Sequence, residues 1–172
     1  MKQKDEVIHK LVGVVKSRAG RKGCLNLPEW DDDCWKKLLA GSKVVVLENG
    51  GILLERDDPS GDLYFLAAGS LQVSIPHADG MTLTGPVTRY PGSIIGEIAF
   101  LDGGNRTASV WSRGRSILLH LPASEFQSFM EAEPKLACEV LCAIGQIVAE
   151  RLRQCTGASP HGRAMKAGSS EY

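Results

Sequence analysis

The 172 residues carry 20 lysines and arginines against 20 aspartates and glutamates, so the formal net charge is zero. That length suffices for one domain with a real core and is short for two. The balanced charge excludes a global field drawing the chain onto nucleic acid or an acidic membrane, and no apolar run approaches the roughly 18 residues of a membrane span.

The first predicted element runs from Asp5 to about Ser17, where Val7, Ile8, Leu11, Val14 and Val15 recur at helical spacing between charged residues. A break at 18–23 follows, and Leu27-Pro28-Glu29 reads as the start of a second helix through Trp30, Trp35, Leu38 and Leu39. Its acidic run, Asp31 to Asp33, suits the positive end of a helix dipole better than a cation site.

From Lys43 to Leu121 the texture changes to short β-rich runs: 43–47, 51–55, 63–67, 70–75, 81–84, 107–111 and 116–121. Turn residues separate them at Asn49-Gly50-Gly51, 57–61, 77–80 and Tyr90-Pro91-Gly92. About eight strands at this spacing predict an antiparallel β-roll of jelly-roll type. Beyond Pro122 a short helix over 123–130, capped near Ser124, precedes a longer one from Pro134 to about Gln154, with Leu136, Val140, Leu141, Ile144, Ile147, Val148 and Leu152 as its apolar stripe. The fold class is α+β, mainly β. Its expected parts are an N-terminal amphipathic helix and linker (1–26), a domain over 27–155 with the roll at 43–121 and helices at 123–154, and a Gly/Ser/Ala-rich tail (156–172) whose composition predicts disorder.

The five cysteines, Cys24, Cys34, Cys138, Cys142 and Cys155, are odd in number and include no C-x-x-C pair. Reduced thiols in a cytoplasmic protein are expected, and MKQKDEVIHK lacks the apolar segment of a secretion signal. Cys138 and Cys142 fall on one helix face. With no nearby His or third Cys they read as small buried apolar side chains, not metal ligands. No nucleophile elbow, Walker phosphate loop, dinucleotide turn or metal-binding histidine set occurs, so neither an enzyme nor a bound cofactor or metal is expected.

One segment, Pro91 to Val110, stands apart. It offers a glycine that permits close backbone approach, a helical turn beginning at Glu97, a glycine-containing loop and Arg106 at the entry to a strand. Free N–H groups at such a turn cradle a phosphate, and Arg106 adds a forked, charge-assisted contact. A carboxylate would repel that anion, so Glu97 is read as the acceptor for a sugar hydroxyl. The bland alternative is a structural ion pair between Glu97 and Arg106 across a β-turn. Trp30, Trp35 and Trp111 read as packing residues, not as a base-stacking platform.

Gly96-Glu97-Ile98-Ala99-Phe100-Leu101 and Arg106-Thr107-Ala108-Ser109-Val110 resemble the phosphate-binding cassette of the cyclic nucleotide-binding domain family. Asp58-Pro59, Tyr64-Phe65, Gly69 and the helix around 149–152 extend the resemblance over about 27–154. It implies Glu97 on the ribose 2′-hydroxyl and Arg106 on an exocyclic phosphate oxygen, with further contacts from Gly96, Ile98, Ala99, Thr107 and Ala108. The ligand expected is cAMP as first choice, with cGMP as the alternative because of Thr107, and the base is expected to be covered from the C-terminal helix by Arg151 or a neighbouring apolar residue. Ile95, Asn105 and Asp57 depart from the usual Phe, Pro and Gly. The expected function is a sensor that signals through its C-terminal helix. The rival is a degenerate module that pairs with a protein partner or a second copy through its terminal helices, as the regulatory part of a transporter or channel. Direct DNA binding and membrane insertion are not expected.

Overall fold

A computed structural model describes residues 2–21, 23–74 and 87–155. The expected strand at 81–84 and the tail from 156 lie outside the described residues.

The chain opens with α1 (Lys2–Ser17), which buries Val7, Ile8, Leu11, Val12 and Val15. Val12, in place of the expected Val14, completes the inward stripe. The second helix, α2 (Asp32–Leu38), begins later than Pro28 implied. Trp30 N–H closes a turn onto the Leu27 carbonyl at 3.2 Å, and the Asp31 side chain accepts from Cys34 N at 2.9 Å. An aspartate side chain at the cap position satisfies an orphan helix amide, which Pro28 cannot do. Trp30 and Trp35 are both buried, edge to face with centroids 5.3 Å apart.

Eight strands follow among the described residues: β1 (Lys43–Leu47), β2 (Ile52–Leu54), β3 (Leu63–Ala68), β4 (Leu71–Ser74), β5 (Val87–Arg89), β6 (Ile94–Ile95), β7 (Ser109–Ser112) and β8 (Ser116–Leu121). They form two antiparallel sheets ordered β1-β8-β3-β6 and β2-β7-β4-β5. The pair β5 and β6 flanks the predicted 90–92 turn, where Gly92 takes a φ of 90°. These strands are too short for alternation to announce them.

Side-chain alternation along β3 and β8 divides the interior. Leu63, Phe65, Leu119 and Leu121 point to the helices, where they meet Leu11, Trp35, Phe126, Val140 and Ile144. Leu66 and Leu118 point the other way and pack with Leu71, Ile95 and Val110 between the sheets. Each such fully buried side chain contributes about 1.5–3 kcal/mol, and slipping either strand by one residue would exchange the two faces. Helix α1 therefore belongs to the same core as the roll.

Two helices close the described chain, α4 (Ala123–Ala132) and α5 (Pro134–Cys155). The first is not capped by Ser124. Pro122 is its N-cap, without a side-chain cap bond, and the Asp62 carboxylate of the neighbouring strand end accepts Ala123 N at 2.9 Å. In α5 the inward stripe is Ala137, Val140, Ala143, Ile144 and Ile147. Cys138 and Cys142 lie off it and are exposed, contrary to the expectation of burial, and Leu152 is exposed as well.

Candidate functional site

The segment from β6 to β7 is held against β3. Ile95 pairs with Tyr64, and Gly96 then turns the chain with φ 87° and ψ 12° into α3 (Glu97–Asp102). Left-handed backbone favours glycine, and here the space does too. A Cβ at position 96 would overlap Arg106 Nη1 and stand 2.8 Å from the Asp62 carbonyl oxygen. The helix stops at Gly103, φ 69°, whose N–H returns to the Ala99 carbonyl at 3.0 Å. In the first turn of α3, the amides of Glu97, Ile98 and Ala99 have no intrahelical acceptor.

Arg106 is only 2% exposed. Its backbone is clamped to the loop before β3, with Arg106 N–H donating to the Asp58 carbonyl at 2.9 Å and Asp57 N–H donating to the Arg106 carbonyl at 2.8 Å. Asp57 takes the φ of 70° that a turn glycine would supply, so that departure from the family pattern leaves the turn intact. From the guanidinium, Nε and Nη2 donate to Ser60 Oγ at 3.1 and 2.7 Å, Nη2 to the Asp62 carbonyl at 2.8 Å and Nη1 to the Gly96 carbonyl at 3.0 Å. All these acceptors are neutral. Burial pulls the guanidinium below its ordinary pKa, against the raising influence of Tyr64, Asp62, Glu97 and Asp58, yet arginine stays charged in proteins.

Glu97, 5% exposed, does not pair with Arg106. Its Oε1 is ion-paired with Arg151 Nη1, reaching over from α5. Arg151 Nη2 also donates to the Ile94 carbonyl at 2.8 Å. Its buried Nε has no hydrogen-bond partner among the described residues. The expected alternative of a Glu97–Arg106 ion pair is thereby excluded, and the C-terminal helix is fixed directly to the cassette.

Asp62 is the hub beneath Arg106. Its carbonyl accepts from the guanidinium, while its carboxylate meets His120 Nε2 at 2.7 Å and the first amide of α4 at 2.9 Å. Burial raises the Asp62 pKa, but the Ala123 N–H bond and the contacts of His120 and Arg106 outweigh it, so the carboxyl sits below its ordinary value. Tyr64, opposite His120 in the β3–β8 register, stacks on that imidazole with centroids 4.7 Å apart. The Arg106 guanidinium carbon is 6.0 Å from the centre of the Tyr64 ring.

Of the residues predicted from sequence, Gly96, Glu97, Ala99 and Arg106 converge as buried or backbone elements, and Ala108 is half-buried at the mouth of β7. Ile98 and Thr107 are exposed. Arg151 reaches the cassette through Glu97. Sequence reasoning missed Ser60 and Asp62, whose turn-rich surroundings read only as a connection. A shallow groove of about 220 Å³ lies elsewhere, between 26–30 and α5; of its two carboxylates, Glu29 and Glu139, the second is bonded to Trp30 Nε1 at 2.8 Å. Among the described residues no group of three or more His, Cys, Asp or Glu could hold a metal ion. No helix there is long and apolar enough to cross a membrane.

Comparison with known proteins points to one family. Glutaminase 1 of Bradyrhizobium diazoefficiens is 30% identical over 105 residues, 61% of this chain and 16% of the relative. A cyclic nucleotide-gated potassium channel of Mesorhizobium japonicum is 28% identical over 88 residues, 51% of this chain and 22% of the channel. The chain thus spans less than a quarter of the length of these curated relatives. In fold it resembles the crystal structure of a cyclic nucleotide-binding domain from Methylobacillus flagellatus, with a TM-score of 0.73 and 19% identity over 89% of this chain and 82% of that one. The profile described as "Cyclic nucleotide-binding domain" matches residues 44–133, just over half the chain and including every cassette residue, and the protein therefore belongs to the cyclic nucleotide-binding domain family.

Proposed function

We propose that the chain is a cyclic nucleotide sensor that binds cAMP at the Gly96–Ala108 cassette, performs no chemistry of its own, and reports occupancy through α5. The observation that carries this reading is Arg106. A 2%-exposed guanidinium whose hydrogen bonds all go to neutral acceptors has no contact counter-ion among the described residues, and burying such a charge costs several kcal/mol. A cyclic phosphodiester carries one negative charge and offsets it. Four N–H groups of Arg106 are engaged, which leaves the second hydrogen of Nη1 for the ligand. The first-turn amides of α3 add neutral donors.

The same ligand engages Glu97. With Oε1 held by Arg151, Oε2 accepts the ribose hydroxyl, so sugar and α5 share one carboxylate. Ligand binding then favours the docked position of α5, by no more than the ligand's preference for that position. The exposed hydroxyl of Thr107 supports cGMP as the alternative ligand.

Calorimetric titration of the purified protein with cAMP and cGMP tests the reading. Saturable binding at one site is expected, with Arg106→Ala weakening it about 100-fold. Absence of binding by the unaltered protein to either nucleotide rejects it.

One observation favours self-association as a second property. The outward stripe of α5, formed by Cys138, Cys142, Gly145 and Leu152, is exposed and uncharged, as a helix–helix seam requires. Sedimentation equilibrium with and without nucleotide would show whether a second copy occupies it.

A further inference from the structure

Ser60 has a hydrogen-bond inventory that its place in a turn does not explain. A hydroxyl offers two acceptor lone pairs and one donor. Both lone pairs are used by Arg106, through Nε at 3.1 Å and Nη2 at 2.7 Å. The proton must therefore point away from the guanidinium, and it finds no acceptor among the described residues. The two residues also differ in access: Arg106 is 2% exposed, whereas Ser60 is half-buried at the surface of the same site. The next residue, Gly61, abuts α3; a Cβ there would lie 3.6 Å from the Ala99 carbonyl. Ser60 is thus the accessible tip of a buried cation, polarised by two charge-assisted bonds.

We infer that Ser60 is a ligand-contacting residue of the cassette, donating its hydroxyl proton to a phosphate oxygen beside Arg106. The inference rests on the nucleotide-binding reading for its natural ligand, but the chemistry it assigns is recognition of a phosphate-like anion. The backbone pairs between Asp57, Asp58 and Arg106 hold the loop in place, so that Ser60 and Arg106 act as one composite anion site built from residues 46 positions apart.

The experiment compares the full chain with Ser60→Ala and Ser60→Thr, titrated with cAMP, with cGMP and with inorganic phosphate, by calorimetry and thermal shift. Circular dichroism melts confirm that each variant is folded. Ser60→Ala is expected to weaken nucleotide binding on the order of tenfold, while Ser60→Thr, which keeps the donor, retains most of it. A pair of phosphorothioate analogues, each with sulfur in place of one exocyclic oxygen, separates direct contact from support of Arg106. Sulfur facing Ser60 should penalise the unaltered protein and not Ser60→Ala. Equal or tighter nucleotide binding by Ser60→Ala overturns the inference and leaves the sensor reading standing, as does an unchanged phosphorothioate preference. Phosphate binding that depends on Ser60, without nucleotide binding, rejects the sensor reading and supports the anion contact. Binding of neither ligand by the unaltered protein overturns both.

Discussion

Glu97 in α3 and Arg151 in α5 are bonded to each other across 54 residues of sequence, and both are largely withdrawn from water, with side chains 7% and 15% exposed. The pair is the most direct connection between the binding cassette and the C-terminal helix. Removing one partner strands the other charge, which costs about 3–5 kcal/mol for a fully buried pair and somewhat less here. Arg151→Ala is therefore expected to lower stability by roughly 2–4 kcal/mol, and Glu97→Gln combined with Arg151→Ala by less than the sum of the single changes. Urea denaturation of the four proteins measures the coupling; strictly additive losses would show that the two side chains act independently.

At position 96 the backbone and the packing make the same demand. Gly96→Ala places a β-carbon in left-handed backbone, at about 1–2 kcal/mol, and drives it into the Arg106 guanidinium. The variant should melt at a lower temperature and lose nucleotide binding together, because Arg106 has nowhere to retreat. Unchanged affinity in a folded Gly96→Ala protein would mean that the arginine is not fixed as described.

The depressed pKa of Asp62 gives stability a pH dependence. Burial alone would raise it, but the Ala123 amide, His120 and Arg106 together hold it down. A carboxylate whose pKa is lowered by folding stabilises the fold above its unfolded value, near pH 4, and that contribution is lost as the pH falls through the folded value. Asp62→Asn should thus melt lower than the unaltered protein at pH 7, with the gap closing below about pH 4. Thermal melts across that range check the sign; a gap that widens in acid would contradict it.

What was legible in the sequence was whatever is local. The cassette lies within a dozen residues, and its glycine, carboxylate and arginine each have a short-range reason to be there. Strands β1, β3 and β8 declare themselves as short β-rich runs bounded by turn residues, and α5 by its apolar period. The contacts that make the site specific are long-range: Ser60 and Asp62 meet Arg106 from 46 and 44 residues away, and no periodicity carries such information. Pro28 placed the second helix too early because a proline at a turn and one at a first helical position look alike. Cys138 and Cys142 were misplaced because α5 is apolar or small around more than half its circumference, and a single chain cannot tell which apolar arc faces its own core.

Helix α5 is also tied to the segment that joins α1 to α2. Glu150 Oε2 accepts the Gly23 amide at 3.0 Å, and Glu139 Oε2 accepts the Trp30 indole N–H at 2.8 Å. A helix tethered at two heights along its length cannot rotate or lift without pulling on both anchors, and the stretch they hold leads straight into α1. If α5 shifts on ligand binding, as proposed above, the same shift pulls on the segment that follows α1.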